Sequence, residues 1–160
     1  MPVTSDILTA WRAPRRLIRA KLNNGLREDR ALAVLFGACV LIFVAQWPAL
    51  SRAAFLQPEV PLDARMGGAL MATLFLLPPI LYGVAAVAHL VARILGGRGS
   101  FFGARLALFW ALLAVVPLML LNGLVAGFLG PGPAATVVGL GVAVGFLYLW
   151  LNMLIEAERE

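Results

Sequence analysis

The sequence predicts an all-α integral membrane protein: four transmembrane helices preceded by a basic amphipathic interfacial helix, with N and C termini cytoplasmic. Three observations predict it. The 160-residue chain is 62% hydrophobic and 13% charged, where a soluble domain is nearer half apolar with about a quarter of its residues charged. A chain this short leaves much of its surface against solvent, so the surplus apolar surface needs hydrocarbon around it. Four long runs carry almost no charge, each long enough to cross roughly 30 Å of hydrocarbon. Finally, the lysines and arginines gather before the first run and around the second reversal, the distribution expected when those segments face the cytoplasm.

Residues 1–30 read as a basic amphipathic segment on the cytoplasmic membrane surface, and 31–160 as the membrane domain. The first thirty residues are polar and basic, so no cleavable signal is expected there. Ile7, Leu8 and Trp11 fall on one side of a first short helix. Pro14 starts the next, since proline suits the first helical position. In that second helix Leu17, Ile18 and Leu22 face one way and Arg15, Arg16 and Arg19 the other. Such a helix suits the headgroup boundary, with Trp11, Arg12, Arg15, Arg16 and Arg19 as candidate contacts to anionic lipid or to a partner. The "NNG" at Asn23 to Gly25 is a helix stop.

The first span covers about 31–49, with Gln46, Trp47 and Pro48 at its far interface. Ser51 to Arg65 forms a polar loop in which Asp63 can cap the next helix. The second span, about 67–95, is longer than a straight crossing needs; Pro78 and Pro79 are expected to kink it. The third, about 104–129, has a further kink candidate at Pro117. "GPGP" turns the chain into the fourth span, about 134–155, before the charged tail "EAERE". A fifth span would require breaking the third helix at Pro117 into two pieces too short to cross.

Between the second and third spans lies "RILGGRGSFFGARLALFW". A phosphate-binding loop needs lysine and serine or threonine after its glycines, and a strand before them; neither is here. A turn with anchors explains the residues better. Gly96 and Gly97 end one helix, Gly99 continues the turn and Ser100 caps the next helix. Phe101 sits at the interface, while Arg93, Arg98 and Arg105 reach headgroups.

Within the spans, Gly123 and Gly127 form one small-residue pair and Gly141 and Gly145 another. Small residues let helix backbones approach where lipid supplies no hydrophobic drive. The third and fourth spans are therefore expected to pack through these faces; either face is alternatively open to a second membrane protein or a second copy. Asn122 is expected to hydrogen-bond across helices for about 1 kcal/mol. Cys39, the only cysteine, reads as a small buried hydrophobe. His89, the only histidine, lies one turn before Arg93 and reads as interfacial, with a backbone or headgroup partner.

Ser5, Ser51 and Ser100 are the only serines. There is no GxSG, no HExxH and no pair of intramembrane aspartates, so acid–base or nucleophilic partners are lacking and no enzyme is expected. No cofactor or metal is expected either, because one histidine and one distant cysteine make no ligand set. Nucleic-acid binding is excluded by the lack of basic–aromatic interleaving.

The stretch "HLVARILGGRGSFFGARLALFWALLAVVPLMLL" resembles the central region of the Yip family. That family repeats an apolar helix, a glycine-rich cytoplasmic loop ending in serine–aromatic, and a proline-containing helix. Gly96, Gly97, Gly99, Ser100 and Phe101, then Pro117, match this pattern, and the similarity extends from about Gly67 to the C-terminus. The resemblance implies a small polytopic membrane protein acting by contact. Eukaryotic members interact with Rab GTPases and have a longer, acidic N-terminal region; here that region is short and basic, and no Rab partner is expected. The twelve arginines to one lysine, with abundant alanine, glycine and leucine, suit a GC-rich bacterial genome, and so a bacterial inner membrane. The function expected is that of a non-catalytic assembly factor, accessory subunit or membrane organiser. The alternative is a small oligomeric transporter or channel, with the prolines supplying broken helices.

Overall fold

The computed structural model describes residues 2–159, which are mostly helical with no strand among them. Two short helices, α1 (Val3–Arg12) and α2 (Pro14–Asn23), precede α3 (Glu28–Leu56). α4 (Leu62–Met71) passes through a π turn at Ala72–Leu76 into α5 (Leu77–Ile94). α6 (Phe101–Phe128) and α7 (Pro133–Ala157) complete the chain. Four segments are long and apolar enough to cross a membrane: α3, the α4–α5 unit, α6 and α7.

Local chemistry sets most boundaries. Gly25 takes φ +91° just after α2. Gly96, at φ +93°, ends α5: its N–H donates to Arg93 O, and the Gly97 N–H reaches back to Ala92 O at 2.8 Å, the double bond of a glycine C-cap. Ser100 opens α6, its hydroxyl accepting from the Gly103 N–H at 3.1 Å. Two expectations change. α3 does not stop near Ala49 but runs through Pro48 to Leu56, so the polar loop is shorter than the composition suggested. Asp63 lies inside the first turn of α4 and Pro61 takes the cap position.

Pro78 and Pro79 enter α5 in its first turn, directly after the π turn. Proline lacks an N–H and its ring crowds the carbonyl four residues back; the wider turn, closed by the Leu77 N–H on Ala72 O, accommodates that crowding. Pro117 lies within α6, which continues to Phe128.

α6 is the central helix, packing most extensively on α3 and α7 and less on α5. Leu106 to Val116 is buried without interruption. Beyond Pro117 only Gly123 is buried. The core therefore sits toward the end of the bundle that bears both termini and the glycine loop, here called the basic end. There α1 and α2 add Ala10, Leu17 and Ile18 to the same core.

The glycine pairs do not meet each other. A Cβ on Gly123 would stand 1.8 Å from Ala45 O, and one on Gly127 would stand 2.3 Å from the Pro48 Cβ. Both glycines thus serve the contact with the first span, not the fourth. Gly141 has nothing within 4 Å of a Cβ, and Gly145 makes room for the Trp11 indole, 2.7 Å from its hypothetical Cβ. The expectation that these pairs join the third and fourth spans is corrected. Hydrocarbon outside and protein inside are equally apolar, so the sequence gives no cue to which glycine face turns which way. Asn122 Oδ1 is buried without a partner, so the expected interhelical bond through that atom is absent. A polar link between the first and second spans is made by Gln46 Nε2, which donates to Thr73 Oγ1 at 3.0 Å.

Candidate functional site

The basic end is where the ionisable side chains converge. Trp11 does not lie out in lipid as a surface anchor. Its Nε1 donates to Ala114 O at 2.9 Å, about 20 Å along α6 from Phe101 at the usual helical rise. Pro117 supplies no N–H to the turn that precedes it, and the indole bonds a carbonyl in that turn. Trp11 is therefore a docking residue for the N-terminal helices, and its placement as a lipid contact is corrected.

α2 lies along α7 and is tied to it by charge: Arg15 Nε donates to Asn152 Oδ1 at 3.1 Å, and Arg19 pairs with Glu156. Lys21 meets Asp6 at 2.6 Å and stands over the Trp110 ring, 4.6 Å from its centroid. Arg105 pairs with Glu28 and lies over Tyr82. Its guanidinium is thus engaged by a carboxylate of α3 at the edge of the bundle, a partner the sequence reading had not given it. By contrast, Arg12, Arg16, Arg30, Arg93 and Arg98 are exposed and form no ion pair among the described residues. With Asp6, Glu28, Glu156 and Glu158 all engaged, this surface presents arginine.

The glycine loop is clamped by the C-terminal tail. The Arg98 N–H donates to Glu158 O at 2.8 Å. A Cβ on Gly99 would fall 2.2 Å from Ala157 O, closer than any side chain tolerates, so glycine is required for this approach. Beneath the clamp, His89 Nδ1 lies 2.6 Å from Glu158 Oε1, with the two side chains 1% and 6% exposed. The His89 ring stands against Phe101, 4.3 Å between centroids; Phe101 itself stays half exposed. The expectation of a backbone or headgroup partner for His89 is thus replaced by a carboxylate. Sequence reasoning missed it because Glu158 sits in a short charged tail, and only the return of α7 beside α5 brings it under the loop.

The model of the Yip1 domain matches residues 8–159. The chain belongs to the Yip1 domain family. The match begins in α1, well before Gly67, where the resemblance was first legible. No curated protein and no solved structure matches the chain. As a Yip1-family protein it is a multi-pass membrane protein, and its glycine loop is the turn between α5 and α6.

Proposed function

We propose that this Yip1-family protein is a non-catalytic membrane organiser or accessory subunit of a bacterial inner membrane, with the basic end in the cytoplasm. The observation that carries this reading is the arginine surface. Each acid of the basic end named above is spent in a pair, while Arg12, Arg16, Arg30, Arg93 and Arg98 face outward beside Phe101. Such a face suits anionic headgroups, each cation contributing about 1 kcal/mol near a charged leaflet. The bundle's polar groups support the same reading. Gln46 donates to Thr73, whose hydroxyl donates to Ala69 O, and His89 is closed off by Glu158, so neither pair is left to line a solute path.

Three measurements test the proposal. Spin-labelled phosphatidylglycerol should be enriched over phosphatidylcholine around the reconstituted protein, and the enrichment should fall in an Arg12→Glu/Arg16→Glu variant. An unchanged ratio would remove the lipid contact from the reading. Proteoliposomes containing only this protein should show no protein-dependent ion or solute flux; reproducible flux would favour a transporter or channel instead. A single cysteine at position 98, in a Cys39→Ala background, should react with an impermeant maleimide only from the cytoplasmic side.

A further inference from the structure

On the basic end, between α5 and α7, a groove of about 740 Å³ opens along the bundle surface. Its walls are apolar: Val91 and Leu95 on one side, Leu151 and Ile155 on the other. All four are about half exposed or more. The head of the groove is polar. Gly97, Arg98, Glu158 and Arg159 lie there, with Trp150 lining the same space; Arg159 is exposed and stands 3.8 Å from Glu156 Oε2.

Two buried polar atoms of the groove lining are left over. Glu158 is 6% exposed, and His89 uses only its Oε1. Oε2 is buried with no hydrogen-bond partner, next to Gly97, whose hypothetical Cβ would be 2.9 Å away. Trp150 Nε1 is likewise buried and without a partner. A buried carboxylate oxygen left unpaired costs stability, more than a neutral group would. Both atoms call for something the described residues do not supply: a donor for Glu158 and an acceptor for Trp150. Arg98 is exposed at the same mouth and forms no ion pair among the described residues.

We propose that this groove binds one phospholipid with a primary-amine headgroup, of the phosphatidylethanolamine type. Its ammonium meets Glu158 Oε2, its phosphate meets Arg98, an ester carbonyl accepts from Trp150 Nε1, and an acyl chain lies along Val91, Leu95, Leu151 and Ile155. The charges fit this headgroup better than its rivals. An anionic glycerol headgroup would satisfy Arg98 but leave the Glu158 oxygen unpaired beside a negative group. A choline headgroup has the charge but no N–H to donate. A volume of 740 Å³ lies within the few hundred to about 1,000 Å³ usual for small-molecule sites. The inference shares Arg98 with the outward arginine surface but turns on Glu158 and Trp150, which that surface does not include: a null result for annular phosphatidylglycerol leaves it standing.

The test is native mass spectrometry of the full chain released from bilayers containing equal parts of phosphatidylethanolamine, phosphatidylcholine and phosphatidylglycerol with matched acyl chains. One ethanolamine lipid should be retained in preference to either rival by about tenfold, the scale of one charge-assisted hydrogen bond. Glu158→Gln should bring its ratio to phosphatidylcholine close to one. Because that variant also touches the His89 contact, Ala88→Phe provides a second arm: it adds bulk to the groove wall while keeping the His89 and Glu158 side chains themselves. It should abolish retention of the lipid while leaving the unfolding temperature in lipid-free detergent unchanged. Retention in bulk proportions, selection of phosphatidylglycerol, or an undiminished ethanolamine preference in Glu158→Gln would each overturn the proposal. So would loss of a dimer, rather than of a lipid adduct, in Ala88→Phe.

Discussion

Gly123 and Gly141 look alike in sequence, each opening a glycine pair spaced by four, yet the structure gives them opposite roles. A methyl group at Gly123 would lie 1.8 Å from the carbonyl oxygen of Ala45, where ordinary contact begins at 3.4 Å. The obstacle is backbone, so no side chain can rotate away; α3 and α6 would have to part by more than an ångström. Overpacking of this kind costs about 1 to 3 kcal/mol, and opening the seam also forfeits dispersion contacts along it. At Gly141 the same methyl meets nothing within 4 Å, so Gly141→Ala should stay within about 0.5 kcal/mol of the parent. The assay is reversible unfolding in mixed dodecylmaltoside and SDS, following helicity. Gly123→Ala should lower the SDS midpoint clearly and Gly141→Ala should not. If both fell equally, or if Gly123→Ala were neutral, the assignment of α6 to its neighbour α3 would be wrong.

Trp11→Phe keeps the ring but loses the N–H to Ala114 O; it should cost about 1 kcal/mol in the same unfolding assay, whereas a residue merely dissolved in the interface would show no change. Glu158→Ala strands His89 in a buried site and should destabilise by about 1 to 3 kcal/mol. Combined with His89→Gln, the loss should be smaller than the two single losses added, and strict additivity would deny the contact. Gly99→Ala should push the tail off the loop, so the Arg98 amide should lose its hydrogen-exchange protection while amides in the middle of α6 keep theirs. Cys39 is 0% exposed and should resist maleimide until the bundle is denatured.

What the amino-acid sequence determined by itself is what local physics decides. Hydropathy over a long run marks a crossing wherever hydrocarbon is the solvent, and the four crossings lie where those runs lie. Gly96 and Ser100 end and start helices through the conformation of one residue and the reach of one hydroxyl. Rotation of each helix about its axis was not legible, because lipid and protein interior ask for the same apolar side chains. Hence the partners of Gly123 and Gly145, the docking of Trp11 on Ala114, and the capture of Arg105 by Glu28 were decided only by the packed bundle. The His89–Glu158 pair joins residues 69 positions apart, and the Arg19–Glu156 pair joins residues 137 apart. No periodicity within a single segment encodes such a meeting; it exists only once α2, α5 and α7 end side by side around α6.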